Sequence, residues 1–273
     1  MRGEFVEVGD YRLYYYAAGS RGAGEPIVLV HGFPTSSHLW NNLVSLLPDG
    51  HRIVVPDLLG FGRSDIAEHA DLSIEGHASR LVGLMGALGI SRGCLVGHHF
   101  GAAVSATAAV KSPHLVTRVA LLHPLGGDVT LTGVFAVMRA FLPLVRVTPI
   151  SMWSAPIRAE LSRWFSDPLR ARASVDQYLG QWRKSTQWKQ LLRQLAALKT
   201  QDMIECTRRL GQLDQPVVIV TSDDDPAVPR VALDQVLQEL PRATLDIIRD
   251  GRHFSPEESP ERIAAVVARL LRS

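Results

Sequence analysis

The stretch that decides the fold runs from residue 94 to residue 101 and reads Cys94-Leu95-Val96-Gly97-His98-His99-Phe100-Gly101. Its first three residues form a short apolar run, which is typical of a strand buried inside a sheet. Two glycines follow at a spacing of four residues and allow a strand and a helix to approach closely. The pattern predicts a sharp strand-to-helix turn with His99 at its apex.

Apolar runs of the same kind recur along the chain and alternate with amphipathic stretches of helical length. The other predicted strands are residues 27–30, 53–55, 119–122, 217–220 and 244–248. Between residues 74 and 88 the apolar side chains fall on one helical face, and Ser259-Pro260 provides a cap and a first-turn proline for a last helix. This alternation predicts an α/β fold with a mostly parallel central sheet covered by helices on both faces.

The alternation is interrupted between residues 127 and 213, where amphipathic runs occur without a convincing strand. The simplest organisation is an α/β core formed by residues 1–126 and 214–273, with residues 127–213 inserted as a helical cap. No internal repeat or low-complexity segment is found.

The composition of the chain indicates a globular protein and argues against nucleic-acid and membrane partners. The chain of 273 residues is 46% hydrophobic and 21% charged with a net charge of +2, which is typical of a globular protein and gives no basic surface for nucleic acid. Cys94 and Cys206 are far apart and have no metal-ligand spacing. The N-terminal residues contain no apolar leader, and charges and prolines interrupt residues 131–150. We therefore expect a cytoplasmic monomer or homodimer without nucleic-acid or membrane partners.

Four landmarks, including the turn at residues 97–101, follow predicted strands in a fixed order. They are His31-Gly32-Phe33-Pro34, the glycine-rich segment 56–65, the turn at residues 97–101, and finally Asp225 followed by His253. With this order the chain resembles the α/β-hydrolase superfamily over nearly its whole length. It is most similar to the capped branch that contains epoxide hydrolases, haloalkane dehalogenases and many esterases.

The resemblance implies a role for each landmark. Residue 99 occupies the nucleophile position, Asp225 the position of the catalytic acid, and His253 the position of the catalytic histidine. The backbone N–H groups of Phe33 and Phe100 correspond to the oxyanion hole. Asp223 and Asp224 are close alternatives to Asp225, which the following Pro226 favours.

His99 departs from the family pattern, which has Ser or Asp at this position. A neutral imidazole is nucleophilic and gives an acyl-imidazole with an activated ester, although it extends further than a serine hydroxyl. His99 could instead act as a general base paired with His253 in a lyase, isomerase or cyclase. It could share a metal with His253 and a carboxylate, or mark a site that binds ligand without turnover. We expect no metal and no other cofactor.

The residues around the site favour an apolar substrate. A haloalkane dehalogenase or epoxide hydrolase of the familiar kind needs Asp at the position of His99. An epoxide hydrolase also needs two tyrosines in the cap, whereas the insertion contains a single one, Tyr178. Both activities are therefore disfavoured. We expect Trp153, Trp164 and Phe254 to line the substrate pocket. The sequence thus predicts a hydrolase-fold enzyme that hydrolyses a small hydrophobic ester or lactone.

Overall fold

A computed structural model describes residues 3–20, 22, 24–65, 69–129 and 131–273. Met1 and Arg2, which belong to the predicted core, and Thr130, which belongs to the predicted cap, lie outside the described residues.

A single eight-stranded sheet organises the described residues. Its strands, in chain order, are β1 (Glu4–Val8), β2 (Tyr11–Gly19), β3 (Ile27–Val30), β4 (Arg52–Pro56), β5 (Gly93–His98), β6 (Val116–Leu122), β7 (Val217–Ser222) and β8 (Thr244–Ile248). The spatial order is β1-β2-β4-β3-β5-β6-β7-β8, with β1 and β2 antiparallel to their neighbours and β3 to β8 parallel. The predicted mostly parallel sheet is confirmed, and each predicted strand overlaps an observed one.

Two N-terminal strands, β1 and β2, were not predicted. Two of the five residues of β1 are glutamates, and most of its side chains are exposed because β1 lies at the edge of the sheet. In β2 the buried residues Leu13 to Tyr16 are mainly tyrosines, preceded by Arg12. Neither segment is a continuous run of aliphatic residues, which is the pattern that located the other strands.

The described residues form eleven α-helices. They are α1 (Ile74–Ala87), α2 (Phe100–Lys111), α3 (Gly133–Ala140), α4 (Leu142–Val147), α5 (Ser154–Arg163), α6 (Pro168–Gln181), α7 (Ser185–Ala197), α8 (Thr200–Arg209), α9 (Arg230–Glu239), α10 (Ser255–Glu258) and α11 (Pro260–Leu270). The expected helix over residues 74–88 and the last helix beginning at Pro260 are both present. Between β6 and β7, the described residues contain helices and no strand.

The parallel strands bring their carboxyl ends to one edge of the sheet, where ligand sites of α/β folds occur. β5 ends at His98, β6 at Leu122 and β7 at Ser222. These strands are neighbours in the sheet, so the residues that follow them meet at this edge. No helix in the described part of the chain has the length and apolarity needed to span a membrane.

Candidate active site

The turn after β5 has the backbone conformation of a strained elbow. His99 has φ 54° and ψ −117°, a region that L-residues with a side chain seldom adopt. The turn is tight because Gly97 lies against α2: a Cβ built on Gly97 would stand 2.3 Å from the carbonyl oxygen of Gly101. The His99 N–H donates to the Leu122 carbonyl at 2.9 Å, which fixes the turn to the end of β6. Non-glycine residues in such conformations cluster at functional sites.

Asp225 and His253 are hydrogen-bonded, as the superfamily resemblance implies. The Nδ1 of His253 lies 3.1 Å from Oδ1 and 3.0 Å from Oδ2 of Asp225. The carboxylate also accepts the backbone N–H groups of Ala227 and Val228 at 2.8 and 3.1 Å. Asp223 and Asp224 do not take this place, since Asp223 accepts the Asp250 N–H and Asp224 pairs with Arg252. Asp225 thus fixes the ring of His253 through Nδ1 and leaves Nε2 facing away.

A second histidine, His123, donates to the same carboxylate and was missed by the sequence analysis. Its Nδ1 lies 2.6 Å from Oδ2 of Asp225, and its Nε2 lies 2.7 Å from Oγ of Ser255. His123 belongs to no recognised motif. However, it is a polar residue directly after buried strand β6, between the strands that carry the elbow and the acid, and this placement could have identified it.

His99 and His253 face each other across the site with unused ring nitrogens. Their ring centroids are 4.9 Å apart and their planes are nearly perpendicular, at 88°. Nδ1 of His99 and Nε2 of His253 are buried and have no hydrogen-bond partner among the described residues. Buried polar atoms without partners are uncommon in folded proteins, and at a site of this kind they are candidates for contact with substrate.

Burial sets the protonation of the site. Burial and the neighbouring His253 lower the pKa of His99 well below its ordinary value, so His99 is neutral at pH 7. Burial alone would raise the pKa of Asp225, but the adjacent His253 and His123 lower it well below its ordinary value. The site therefore combines an ionised carboxylate with a neutral imidazole at the elbow.

The loop that follows β3 lies against the elbow. A Cβ built on Gly32 would stand 2.7 Å from the Cβ of His99, so only a glycine permits this approach. Within the described chain, the N–H groups of Phe33 and Phe100 donate no hydrogen bond to another segment. His31 braces the loop, since its Nε2 accepts the Leu58 N–H at 3.0 Å. Phe33 follows Gly32 and Phe100 follows His99 in the chain, so both amides predicted to bind an oxyanion adjoin this close approach.

Aromatic side chains enclose the two facing histidines. The ring of Trp164 lies 6.3 Å from His99 and 5.0 Å from His253, and Phe135 packs against Trp164 at 5.9 Å. Phe254 lies 5.5 Å from His253 and is fully buried. His99 itself is only 3% exposed. Both Phe135 and Trp164 come from the helical segment 127–213, so this segment closes the site with apolar surface.

Trp153, the other predicted substrate contact, has a different environment. Its indole N–H donates to Oγ1 of Thr148 at 2.8 Å within the helical segment. No ring contact among the described residues joins Trp153 to His99 or His253. Of the predicted aromatic contacts, the structure therefore brings Trp164 and Phe254 to the histidines.

One group of side chains has the composition of a metal site. Ligand atoms of His123, Asp225 and His253 all lie within 4.8 Å of one another. However, each imidazole Nδ1 lies at 2.6 to 3.1 Å from the carboxylate, which is the geometry of direct N–H donation. These atoms are therefore occupied by hydrogen bonds to one another.

Comparison with known proteins identifies the family. The sequence profile of the alpha/beta hydrolase fold family matches residues 25–260. The chain belongs to the α/β-hydrolase family. This confirms the resemblance inferred from the sequence, and it places the chain in a family of hydrolases.

Three similar proteins illustrate the range of the family. A 2-hydroxy-6-oxo-2,4-heptadienoate hydrolase of Pseudomonas putida is 33% identical over 127 residues, which are 45% of this chain and 46% of that protein. A cis-3-alkyl-4-alkyloxetan-2-one decarboxylase of Shewanella oneidensis is 30% identical over 152 residues, 55% of this chain and 43% of that protein. The crystal structure of Cfl2 from Burkholderia cenocepacia has a TM-score of 0.84 and 28% identity, covering 98% of this chain and 95% of Cfl2.

Proposed function

We propose that the protein hydrolyses a small hydrophobic ester or lactone. The observation that carries the proposal is the His253–Asp225 hydrogen bond, at 3.0 and 3.1 Å, which leaves the buried Nε2 of His253 unpartnered beside His99. A histidine held in this way is a general base for a hydroxyl or water. The aromatic enclosure formed by Trp164, Phe135 and Phe254 favours an apolar acyl or lactone group.

In the proposed first step, neutral His99 is the nucleophile. A ring nitrogen of His99 attacks the carbonyl carbon, and the carbonyl electrons move to the oxygen, which the N–H groups of Phe33 and Phe100 stabilise. The carbon–oxygen bond to the leaving group then breaks. The alkoxide leaves with the proton that the second nitrogen of His99 gives up, and an acyl-imidazole remains.

In the second step, His253 activates water. Its Nε2 takes a proton from water while the hydroxyl oxygen bonds to the acyl carbon, and the bond to His99 breaks. His253 returns its proton to His99, and the net reaction is ester plus water to acid plus alcohol. Asp225 stays ionised throughout and stabilises the positive charge that develops on His253.

The similar proteins support a carbonyl electrophile. An oxetan-2-one is a four-membered lactone, and the Shewanella oneidensis relative is named for such a compound. The Pseudomonas putida relative is named as a hydrolase of an oxo-dienoate. The low pKa of His99 also supports an imidazole nucleophile, because the ring stays unprotonated at pH 7.

A panel of nitrophenyl esters and small lactones tests the proposal. We expect the parent protein to hydrolyse short apolar nitrophenyl esters, and His253→Gln to lose at least about 100-fold in kcat, the scale of general-base catalysis. Hydrolysis that is unchanged in His253→Gln would contradict the proposed role of His253. A matched control is His51→Gln. His51 directly precedes β4, so it lies at the amino ends of the parallel strands, away from the site at their carboxyl ends.

A second candidate is proton transfer between His99 and His253 without hydrolysis. The observation that favours it is the pair of unpartnered nitrogens on rings 4.9 Å apart. In this case the parent would be inactive on every ester. Instead, it would exchange an acidic carbon-bound hydrogen of a ketone for deuterium, measured by NMR, and both His99→Ala and His253→Gln would abolish the exchange.

A further inference from the structure

Asp225 is shared by two histidines, and the contact to the histidine without an assigned role is the shorter one. His123 approaches Oδ2 at 2.6 Å, whereas His253 approaches the same oxygen at 3.0 Å. Both imidazoles are fully buried. The carboxylate that orients His253 is therefore itself oriented by His123.

The backbone of His123 is strained in a way that places its ring at the site. Among the described residues, the non-glycine residues with positive φ are His99, His123 and Asp250, and His123 has φ 48°. Its N–H donates to the carbonyl of Val220 in β7 at 2.7 Å, so the strained residue is fixed to this neighbouring strand. Two of these three residues thus carry an imidazole to the same buried cluster, which is a distribution expected of a functional site.

His123 also connects Asp225 to the segment that carries His253. With Nδ1 donating to the carboxylate, Nε2 accepts the hydroxyl of Ser255 at 2.7 Å. Ser255 is two residues after His253 and begins α10. Both nitrogens of a neutral His123 are therefore used: Nδ1 contacts Asp225 on the loop after β7, and Nε2 contacts Ser255, the first residue of α10.

We propose that His123 is a positioning residue, which holds the Asp225 carboxylate and the Ser255 turn so that His253 keeps its proton on Nδ1 and presents Nε2 to the substrate. The positional part of this proposal stands on these contacts alone. The effect on catalysis rests on the proposed hydrolase function.

Two substitutions of His123 separate its two contacts. In His123→Asn the side-chain amide lies close to the position of Nδ1, so the donor to Asp225 is kept, and Asn tolerates positive φ. In His123→Gln the amide lies close to the position of Nε2, so the contact to Ser255 is kept and the donor to Asp225 is lost. Ser255→Ala removes the other contact without changing the strained residue, and His51→Gln is the control for a histidine-to-amide change elsewhere.

The experiment measures the tautomer of His253 by 15N NMR at pH 7.5, together with kcat and KM of ester hydrolysis. We expect the Nδ1–H tautomer in the parent and in His123→Asn. In His123→Gln we expect mixed tautomers and a kcat about 10- to 100-fold lower with KM little changed, the scale of a small misplacement. Ser255→Ala should shift in the same direction by less.

The result that overturns the proposal is His123→Gln with the tautomer of His253 and the kcat of the parent. If His123→Gln does not fold, Ser255→Ala with unchanged tautomer and kcat overturns it. If the tautomer is lost in His123→Gln while even the parent hydrolyses no ester, the positional proposal stands and the hydrolase proposal fails.

Discussion

Two buried carboxyl groups near His253 differ in protonation. Asp225 is hydrogen-bonded to His253, and Glu257 follows it closely in the chain. Asp225 accepts hydrogen bonds from two imidazoles and two backbone N–H groups, and the histidines lower its pKa well below the ordinary value. Glu257 accepts hydrogen bonds from the hydroxyls of Ser174 and Tyr178, and burial raises its pKa to about 7. The same chemical group is thus kept ionised in one cluster and largely protonated in the other below pH 7.

The difference shows what each cluster does. The Asp225 cluster contains ring nitrogens without partners, on His99 and His253, and it faces the aromatic enclosure. The side chain of Glu257 has a hydroxyl partner for each oxygen, and its contacts join α10 to α6 of the helical segment. We infer that the first cluster serves chemistry, whereas the second attaches the helical segment to the rest of the fold.

The largest expected effect is the isosteric change Asp225→Asn. An amide cannot accept from both imidazoles as the carboxylate does, and its N–H₂ group opposes one of the two donors. We expect kcat for ester hydrolysis to fall about 10³- to 10⁴-fold, the scale of the same change in other histidine–aspartate sites. Steady-state kinetics on a nitrophenyl ester provide the measurement.

The control for Asp225→Asn is thermal unfolding by circular dichroism, which shows whether the variant is folded at the assay temperature. A folded Asp225→Asn variant with the kcat of the parent would show that Asp225 has no part in catalysis. Asp225 and Glu257 would then not differ in function.

The next effect is a loss of stability in mild acid. Burial lowers the pKa of six histidines, and that of His77 falls to about 3; the others are His31, His38, His98, His99 and His123. In the unfolded chain these groups take up protons below about pH 6.5, while the folded protein does not. The free energy of unfolding should therefore fall as pH falls from 6.5, by up to about 1.4 kcal/mol per pH unit for each histidine.

Glu257 changes the free energy of unfolding with pH in the opposite sense, but it is one group against six histidines. Its raised pKa stabilises the fold below about pH 4.5, and this contribution is lost as pH rises to 7. Protonation of Asp225 lowers the free energy of unfolding further only below about pH 4, since its pKa is lowered.

Urea unfolding at pH 7.5, 6.5 and 5.5 measures the net effect of these groups on the free energy of unfolding. A free energy of unfolding that stays constant over this range would show that the histidines are not kept neutral by burial.

The sequence predicted the parts of the site that lie in local patterns. Apolar runs located the parallel strands, and the glycines around His99 located the elbow, because each of these features depends on a few adjacent residues. The position of His123 after an apolar run is visible in the sequence, but its role is not, since its partners Asp225 and Ser255 lie 102 and 132 residues away in the chain. The role of Glu257 depends in the same manner on Ser174 and Tyr178, which only the folded arrangement of α6 brings near.

The smallest expected effect is the matched change Glu257→Gln. A glutamine resembles the protonated acid, and the hydroxyls of Ser174 and Tyr178 can rotate to serve its amide. We expect unchanged kcat and a gain of about 1 to 3 kcal/mol in the free energy of unfolding at pH 8, where the carboxyl group is ionised against its preference. The gain should vanish near pH 5. Destabilisation at pH 8 would mean that the buried carboxylate, and not the neutral acid, holds α6 to α10.

If His99 is the nucleophile and His253 the base, His99→Ser and His99→Ala should differ in opposite directions from the parent on a short nitrophenyl ester at pH 7.5. We expect His99→Ser to be faster than the parent, because His253 and Asp225 already lie at the elbow as base and acid and the predicted oxyanion amides adjoin it. We expect His99→Ala to be at least about 10-fold slower than the parent. Parent-level hydrolysis by His99→Ala would contradict this role of His99, since a water activated by His253 would then suffice. If His99→Ser hydrolyses the ester no faster than the parent, and if adding His253→Gln changes the rate of neither protein, the site is not that of a hydrolase.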